Sequence, residues 1–187
     1  MEVRMRLGVI GTGRIGSQHA AVLAARSDVD EVIVCDVDGD RARGVAQQVG
    51  GSAAEGTAAL FAAQPDGVLI AAPTSQHAAL IREAVRAQVP VFCEKPVAQS
   101  LADTVATVAE VESSGIPVQI GFQRRFDEGY RRVRDAVHGG QVGELASDAP
   151  AHLRSRATAR RVRAAQRGHL PRLPHPRLRH PPIRQRP

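Results

Sequence analysis

Acidic residues stop at Asp148, and the 39 residues that follow contain none. All nineteen acids and fourteen of the twenty-five basic residues precede Ala149, a balance of −5, whereas Ala149–Pro187 holds eleven arginines and carries +11. The net charge of +6 therefore describes the tail. Lysine is nearly missing as well: Lys95 is the only one, against twenty-four arginines. Cysteine is scarce, and Cys35 and Cys93 each stand singly at the end of an apolar run. That spacing excludes a disulfide framework and a C-x-x-C metal site, and fits two reduced core thiols; no metal is expected. No apolar run approaches a membrane span, and the chain enters its first apolar run without a signal-peptide pattern, so a soluble, cytoplasmic protein with no membrane partner is expected.

What is present is organised around Leu7-Gly8-Val9-Ile10-Gly11-Thr12-Gly13-Arg14-Ile15-Gly16, an apolar run that breaks into G-x-G-x-x-G and resumes as a helical pattern from Ser17. In such a unit the first glycine makes the turn and the second admits a pyrophosphate close to the backbone. The third packs helix on strand, and the helix N-terminus faces the anion. A second apolar run, Val32–Cys35, ends at Asp36, twenty residues past Gly16. A carboxylate there accepts hydrogen bonds from the adenosine ribose and repels a 2′-phosphate, which favours NAD over NADP. The alternative is a loop aspartate capping the helix that starts near Asp40. Arg41 and Arg43 leave NADP open.

Short apolar runs alternate with amphipathic stretches, the pattern of an α/β doubly wound parallel sheet. Strands are expected at 6–10, 32–36, 67–71, 89–93 and 118–121, with helices at 15–25, 40–49, 57–63, 76–87, 101–113 and 127–138. The organisation predicted is a dinucleotide-binding domain over 1–122, the start of a second α+β domain over 123–148, and an irregular Arg/Pro-rich tail over 149–187.

Three loops follow strands at the carboxyl edge, where open α/β sheets bind ligands. Ala72-Pro73-Thr74 through His77 can line the nicotinamide ribose; His77 itself reads equally as cofactor contact or as a solvated first-turn residue. Glu94-Lys95-Pro96 carries the single lysine. In a composition that uses arginine for every other fixed charge, a retained amine suggests proton transfer or hydrogen bonding to a reacting hydroxyl, because guanidinium stays protonated. The alternative is a surface lysine kept by chance. Gly121-Phe122-Gln123-Arg124-Arg125-Phe126-Asp127 offers Arg124 to a polar substrate, or to Asp127 and Glu128 as an ordinary ion pair.

With those residues in place, the stretch from Arg6 to Leu145 resembles the N-terminal half of the glucose–fructose oxidoreductase, inositol dehydrogenase and rhizopine-catabolism (Gfo/Idh/MocA) family. The text that carries it is G-T-G-R-I-G, A-P-T-S-Q-H, E-K-P, G-F-Q-R-R-F-D and G-Q-V-G-E-L, in order. It is most similar to inositol 2-dehydrogenase-like members, although Gln123 stands where methionine or asparagine is expected. The resemblance implies a Rossmann-type sheet binding NAD through Gly11, Thr12, Gly13, Arg14, Ile15, Gly16, Asp36, Ala72, Pro73, Thr74, His77, Glu94, Lys95 and Pro96. It implies Lys95 as the catalytic residue, Lys95 and Arg124 toward a polyol or sugar, and a homo-oligomeric parent. It also implies an Asp and a His spaced D-x-x-x-H in a second domain; after Leu145 that spacing occurs once, at Asp148 and His152, beyond the stretch that carries the resemblance.

The tail offers a closer match in another reading frame. Read from the second base of each codon, Gln166 through Arg179 into His180 permits Ser-Gly-Gly-Ile-Phe-Arg-Asp-x-x-Ile-His-Asp-Phe-Asp, which resembles the missing segment with its spacing intact. The same shift over Arg154 to Val162 permits Asp-Pro-Ala-Pro-Pro-Pro. A frameshift between about Ala146 and Leu153 is the expectation, tested by the nucleotide sequence there. The rival reading is an NAD-binding module with a basic arm for nucleic acid. Against it, the tail has no aromatic residue for base stacking and the body is net acidic. A chain with an exposed face and no second sheet is also expected to aggregate.

Overall fold

The computed structural model describes residues 4–143; the expectations for 144–148 and for the tail over 149–187 lie outside the described residues. The chain divides into two units, Met1–Arg132 and Val133–Pro187, and everything below concerns the first except where stated.

Six parallel strands form one sheet: β1 (Met5–Ile10), β2 (Val29–Cys35), β3 (Ser52–Ala53), β4 (Gly67–Ile70), β5 (Val91–Glu94) and β6 (Val118–Gly121), in spatial order β3-β2-β1-β4-β5-β6. The helices are α1 (Arg14–Ala24), α2 (Gly39–Val49), α3 (Thr57–Ala62), α4 (Thr74–Arg86), α5 (Leu101–Ser114) and α6 (Glu128–His138), with a 3-10 turn at Gln123–Arg125. Helix α6 runs across the division between the units, and the described part of the second unit ends at Gly143. This is the expected doubly wound sheet. Among the described residues no helix is long and apolar enough to cross a membrane.

The side-chain alternation of the central strands divides the core in two. Val9, Val32, Val34 and Leu69 meet Ala20 of α1 and Ala42, Val45 and Ala46 of α2 on one face. Ile10, Ile33, Cys35, Val68, Ile70, Val91 and Cys93 meet Leu60 of α3 and Ile81, Ala84 and Val85 of α4 on the other. Both cysteines are free and buried, and burial first, with a neighbouring carboxylate second, pushes each thiol up to about 12. They are core residues, as the sequence suggests.

The differences from the sequence expectations have local causes. Strand β2 begins three residues early, at Val29, because Arg4 and Arg6 of the neighbouring segment pair with Asp30 at 2.7 Å and Glu31 at 2.9 Å, so polar residues remain in the ladder. Strand β5 begins two residues late, at Val91: Pro90 has no N–H to give, although its carbonyl accepts from Val68 N–H at 2.8 Å. Strand β3 is two residues long, too short for a periodicity signal. Helix α4 starts at Thr74, two residues early, directly after Pro73 in the extended conformation.

Candidate functional site

The turn after β1 is built by its three glycines, each for its own reason. Gly11 has φ +91°, and a Cβ there would lie 2.7 Å from the backbone nitrogen of Ala72, so the first glycine both turns the chain and lets the β4–α4 loop touch it. A Cβ on Gly16 would lie 1.8 Å from the carbonyl oxygen of Gly11, which fixes α1 against the turn. Gly13 is different: a Cβ there would meet nothing within 4 Å. It stands at the start of α1 with no side-chain cap on that helix, facing open space. An uncapped helix start behind a side-chain-free backbone fits a pyrophosphate, because its first-turn N–H groups have no other acceptor. Thr12 is buried, while Arg14 and Ile15 are exposed at the rim.

Asp36 follows β2 and reaches back to that turn. Its Oδ2 accepts from Thr12 N–H at 2.6 Å and Thr12 Oγ1–H at 3.0 Å, and its Oδ1 accepts from Asp38 N–H at 3.0 Å and the Arg41 guanidinium at 2.6 Å. Burial alone would raise this carboxyl; the hydrogen bonds from Arg41, Asp38 and Thr12 outweigh it and hold Asp36 well below the usual carboxylate range. The capping alternative is excluded, because Asp38 is the residue that caps α2, accepting from Arg41 N–H at 3.1 Å. Of the two arginines that leave NADP open, Arg41 lies on Asp36, and Arg43 pairs with Asp40 at 2.6 Å.

His77 matches neither of its two sequence readings in simple form. It is 2 % exposed, so it is not solvated. Its ring nitrogens are both engaged, Nδ1 at 2.6 Å from the Pro96 carbonyl and Nε2 at 2.8 Å from the Ala72 carbonyl, which leaves no ring nitrogen for a ligand. It joins the loop of Ala72, Pro73 and Thr74 to the loop of Glu94, Lys95 and Pro96. The Lys95-Pro96 peptide is cis. Lys95 is exposed and forms no ion pair among the described residues. Glu94 ends β5, with Oε1 2.9 Å from His19 Nε2.

His19 is the residue that the sequence reading missed. It lies three positions past Gly16, hence on the helix face that Gly16 turns toward the sheet, and that offset is the signal that could have found it. Arg124, in the turn after β6, pairs with Asp127 at 3.6 Å and lies 4.9 Å from the Tyr130 ring centroid. Of its two readings the ion pair is present. Among the described residues no cluster of ligating side chains could hold a metal.

A family model described as an oxidoreductase family with an NAD-binding Rossmann fold matches residues 5–122. The chain is 40% identical over 144 residues to inositol 2-dehydrogenase of Rubrobacter xylanophilus, covering 75% of this chain and 41% of that protein. It is 34% identical over 142 residues to myo-inositol 2-dehydrogenase of Thermotoga maritima, covering 75% and 42%. The crystal structure of scyllo-inositol dehydrogenase from Lactobacillus casei, with bound NAD(H) and scyllo-inositol, superposes with a TM-score of 0.71 at 25% identity, covering 89% of this chain and 51% of that one. The chain thus spans about two fifths of the length of these curated relatives. Between them, the glycine turn, the aspartate on the next strand and a family match over the whole sheet place this chain in the Gfo/Idh/MocA family of oxidoreductases, as an NAD-binding Rossmann domain.

Proposed function

We propose that this chain is the cofactor-binding half of an NAD-dependent dehydrogenase that acts on a polyol or sugar hydroxyl, with myo-inositol the leading substrate. The observation that supports it most is the convergence of Gly13, Asp36 and Lys95 on the carboxyl edge of one sheet, in a chain whose relatives carry the names inositol and myo-inositol 2-dehydrogenase. NAD, when bound, supplies the hydride acceptor. The chain's own residues do the rest of the work on this side. The backbone from Gly11 to Gly16 receives the pyrophosphate, with Thr12, Arg14 and Ile15 around it. Asp36 takes the adenosine ribose and disfavours a 2′-phosphate. Ala72, Pro73, Thr74 and Glu94 line the nicotinamide ribose. Lys95 donates to the reacting hydroxyl, with Pro96 setting its position, and Arg124 gives its guanidinium to the substrate when it leaves Asp127.

The proton of that hydroxyl needs an acceptor, and the one D-x-x-x-H spacing beyond Leu145, Asp148 with His152, lies outside the stretch that resembles the family. We infer that the shifted frame over Gln166–His180 encodes the acceptor. A missing general base costs about 10²–10⁴-fold in rate, so this chain binds cofactor without appreciable turnover. Titration of the 187-residue chain with NADH and NADPH, followed by the nicotinamide fluorescence, tests the binding; saturable NADH binding with weaker NADPH is expected, and no binding of either removes the proposal. Normal turnover of myo-inositol with NAD would refute the inferred loss of the base.

The eleven arginines after Asp148 favour one further reading, a cofactor-binding module with an arm for nucleic acid. DNA retention that falls steeply with salt and vanishes on deleting residues 149–187 would support it. The parent enzyme's homo-oligomer is read by mass measurement on a chain whose frame is restored.

A further inference from the structure

The loop that carries Lys95 is held from both faces of the sheet. Helix α1 belongs to one core layer through Ala20, and α4 to the other through Ile81, Ala84 and Val85. Each sends one imidazole over the carboxyl edge toward the same three residues. His19 of α1 meets the Glu94 carboxylate at 2.9 Å, and His77 of α4 meets the Pro96 carbonyl at 2.6 Å. Lys95 lies between the two gripped residues and is itself exposed. The second His77 nitrogen lies 2.8 Å from the Ala72 carbonyl, in the loop that already touches Gly11, so the single N–H of a neutral ring can serve either loop.

We propose that His19 and His77 are positioning residues that brace Glu94-Lys95-Pro96 from opposite faces of the sheet, fixing the nicotinamide end of the cofactor site while the pyrophosphate end is fixed separately by its glycines. The proposal rests on the cofactor-binding reading above. Its physical basis is the difference in how the two ends are held. Gly11 and Gly16 admit no other side chain, so the pyrophosphate turn is determined by sterics. Glu94–Pro96 contains no glycine; beside the Glu94 ladder position and the Pro96 ring, its carboxylate and last carbonyl are met by side chains arriving from two helices. A neutral imidazole has one N–H and serves one carbonyl at a time, whereas an imidazolium serves both, so His77 is a directional strut that an apolar side chain of similar size cannot replace. His19 leaves the second carboxylate oxygen of Glu94 available as an acceptor for a ribose hydroxyl. Neither histidine touches cofactor or substrate in this scheme; both act through residues that do.

The test compares NADH with ADP, which lacks the nicotinamide half, on the full 187-residue chain and on His19→Leu, His77→Leu and His77→Gln. Loss of one orienting hydrogen bond is expected to weaken NADH about three- to tenfold. ADP affinity is expected to stay within about twofold. His77→Gln keeps a donor for one of the two carbonyls and is expected to recover part of the loss seen in His77→Leu. Because Lys95 is the only lysine, acetylation mapped by peptide mass reports it alone, with the α-amine as internal reference. NADH is expected to protect Lys95 in the wild type, and to protect it less in the two leucine variants at the same concentration. If His77→Leu does not fold, His19→Leu, at a half-buried position, and His77→Gln decide the matter. Folded variants that lose NADH and ADP together, or lose neither, overturn the brace. A wild type that binds neither ligand overturns the cofactor-binding reading itself.

Discussion

The two ends of the carboxyl edge are built by opposite means. At the β1–β2 end the binding atoms are backbone, and the shape is imposed by missing side chains: Gly11 at φ +91° against Ala72, Gly16 against the Gly11 carbonyl, Gly13 open. At the β4–β5 end the shape is imposed by side chains that are present, His77 on two carbonyls and His19 on one carboxylate. Constraint by glycine leaves a spacing that can be read along a chain. Constraint by a side chain gripping a remote carbonyl leaves none, since any residue can offer the carbonyl.

Substitutions that exchange the two modes of construction should separate the ends. The largest effect is expected for Gly16→Ala: its methyl carbon would sit 1.8 Å from a backbone oxygen, which cannot rotate away. Loss of at least about 3 kcal/mol of stability in urea denaturation is expected, with NADH binding lost as well. Gly13→Ala, three residues earlier, meets nothing within 4 Å and should leave stability within about 0.5 kcal/mol while weakening NADH. Equal destabilisation by the two would show that the glycines do not divide the work in this way.

Asp36→Asn comes next. It weakens the charged hydrogen bonds to Thr12, Asp38 and Arg41, at a cost of about 1–3 kcal/mol. The affinity ratio of NADPH to NADH should rise about tenfold as the repulsion of a 2′-phosphate is removed. The pH dependence has a definite sign. The Asp36 carboxyl is held below its ordinary value in the folded state, so its contribution to stability is complete above the unfolded pKa of about 3.9. It is lost as pH falls below that value toward the folded-state pKa. Wild type should therefore lose more stability than Asp36→Asn between about pH 5 and pH 2, in denaturation curves taken across that range.

The smallest effect is expected for Arg43→Ala. Its partner Asp40 is 93% exposed, and such a pair contributes about 0–1 kcal/mol. A change in NADPH affinity in this variant would show that Arg43 leaves Asp40 for a 2′-phosphate.

Most of the sheet was legible because buried parallel strands are short apolar runs and the loops between them end in recognisable residues. Val118–Gly121 is placed at its observed bounds, and the helix expected from 101 starts there, capped by Ser100 with Asp103 in its first turn. Ser52–Ala53 was not legible, since two residues carry no alternation. Neither was the early start of β2, which depends on charges brought together across the sheet. Within the site, Asp36 was found from its distance to the glycines, and Lys95 from its solitude among arginines. The role of His77 does not show in the sequence, because both of its partners are main-chain carbonyls, and that of His19 does not, because its partner lies 75 residues away.

The central claim is that both ends of this edge serve one dinucleotide. Amide chemical-shift mapping of the isotopically labelled 187-residue chain tests it most directly. NADH should move the signals of Gly11–Gly16 and of Glu94 and Lys95 together, while ADP moves the first group and leaves Glu94 and Lys95 in place. Shifts at Gly11–Gly16 with both ligands and none at Glu94 or Lys95 with NADH would contradict it.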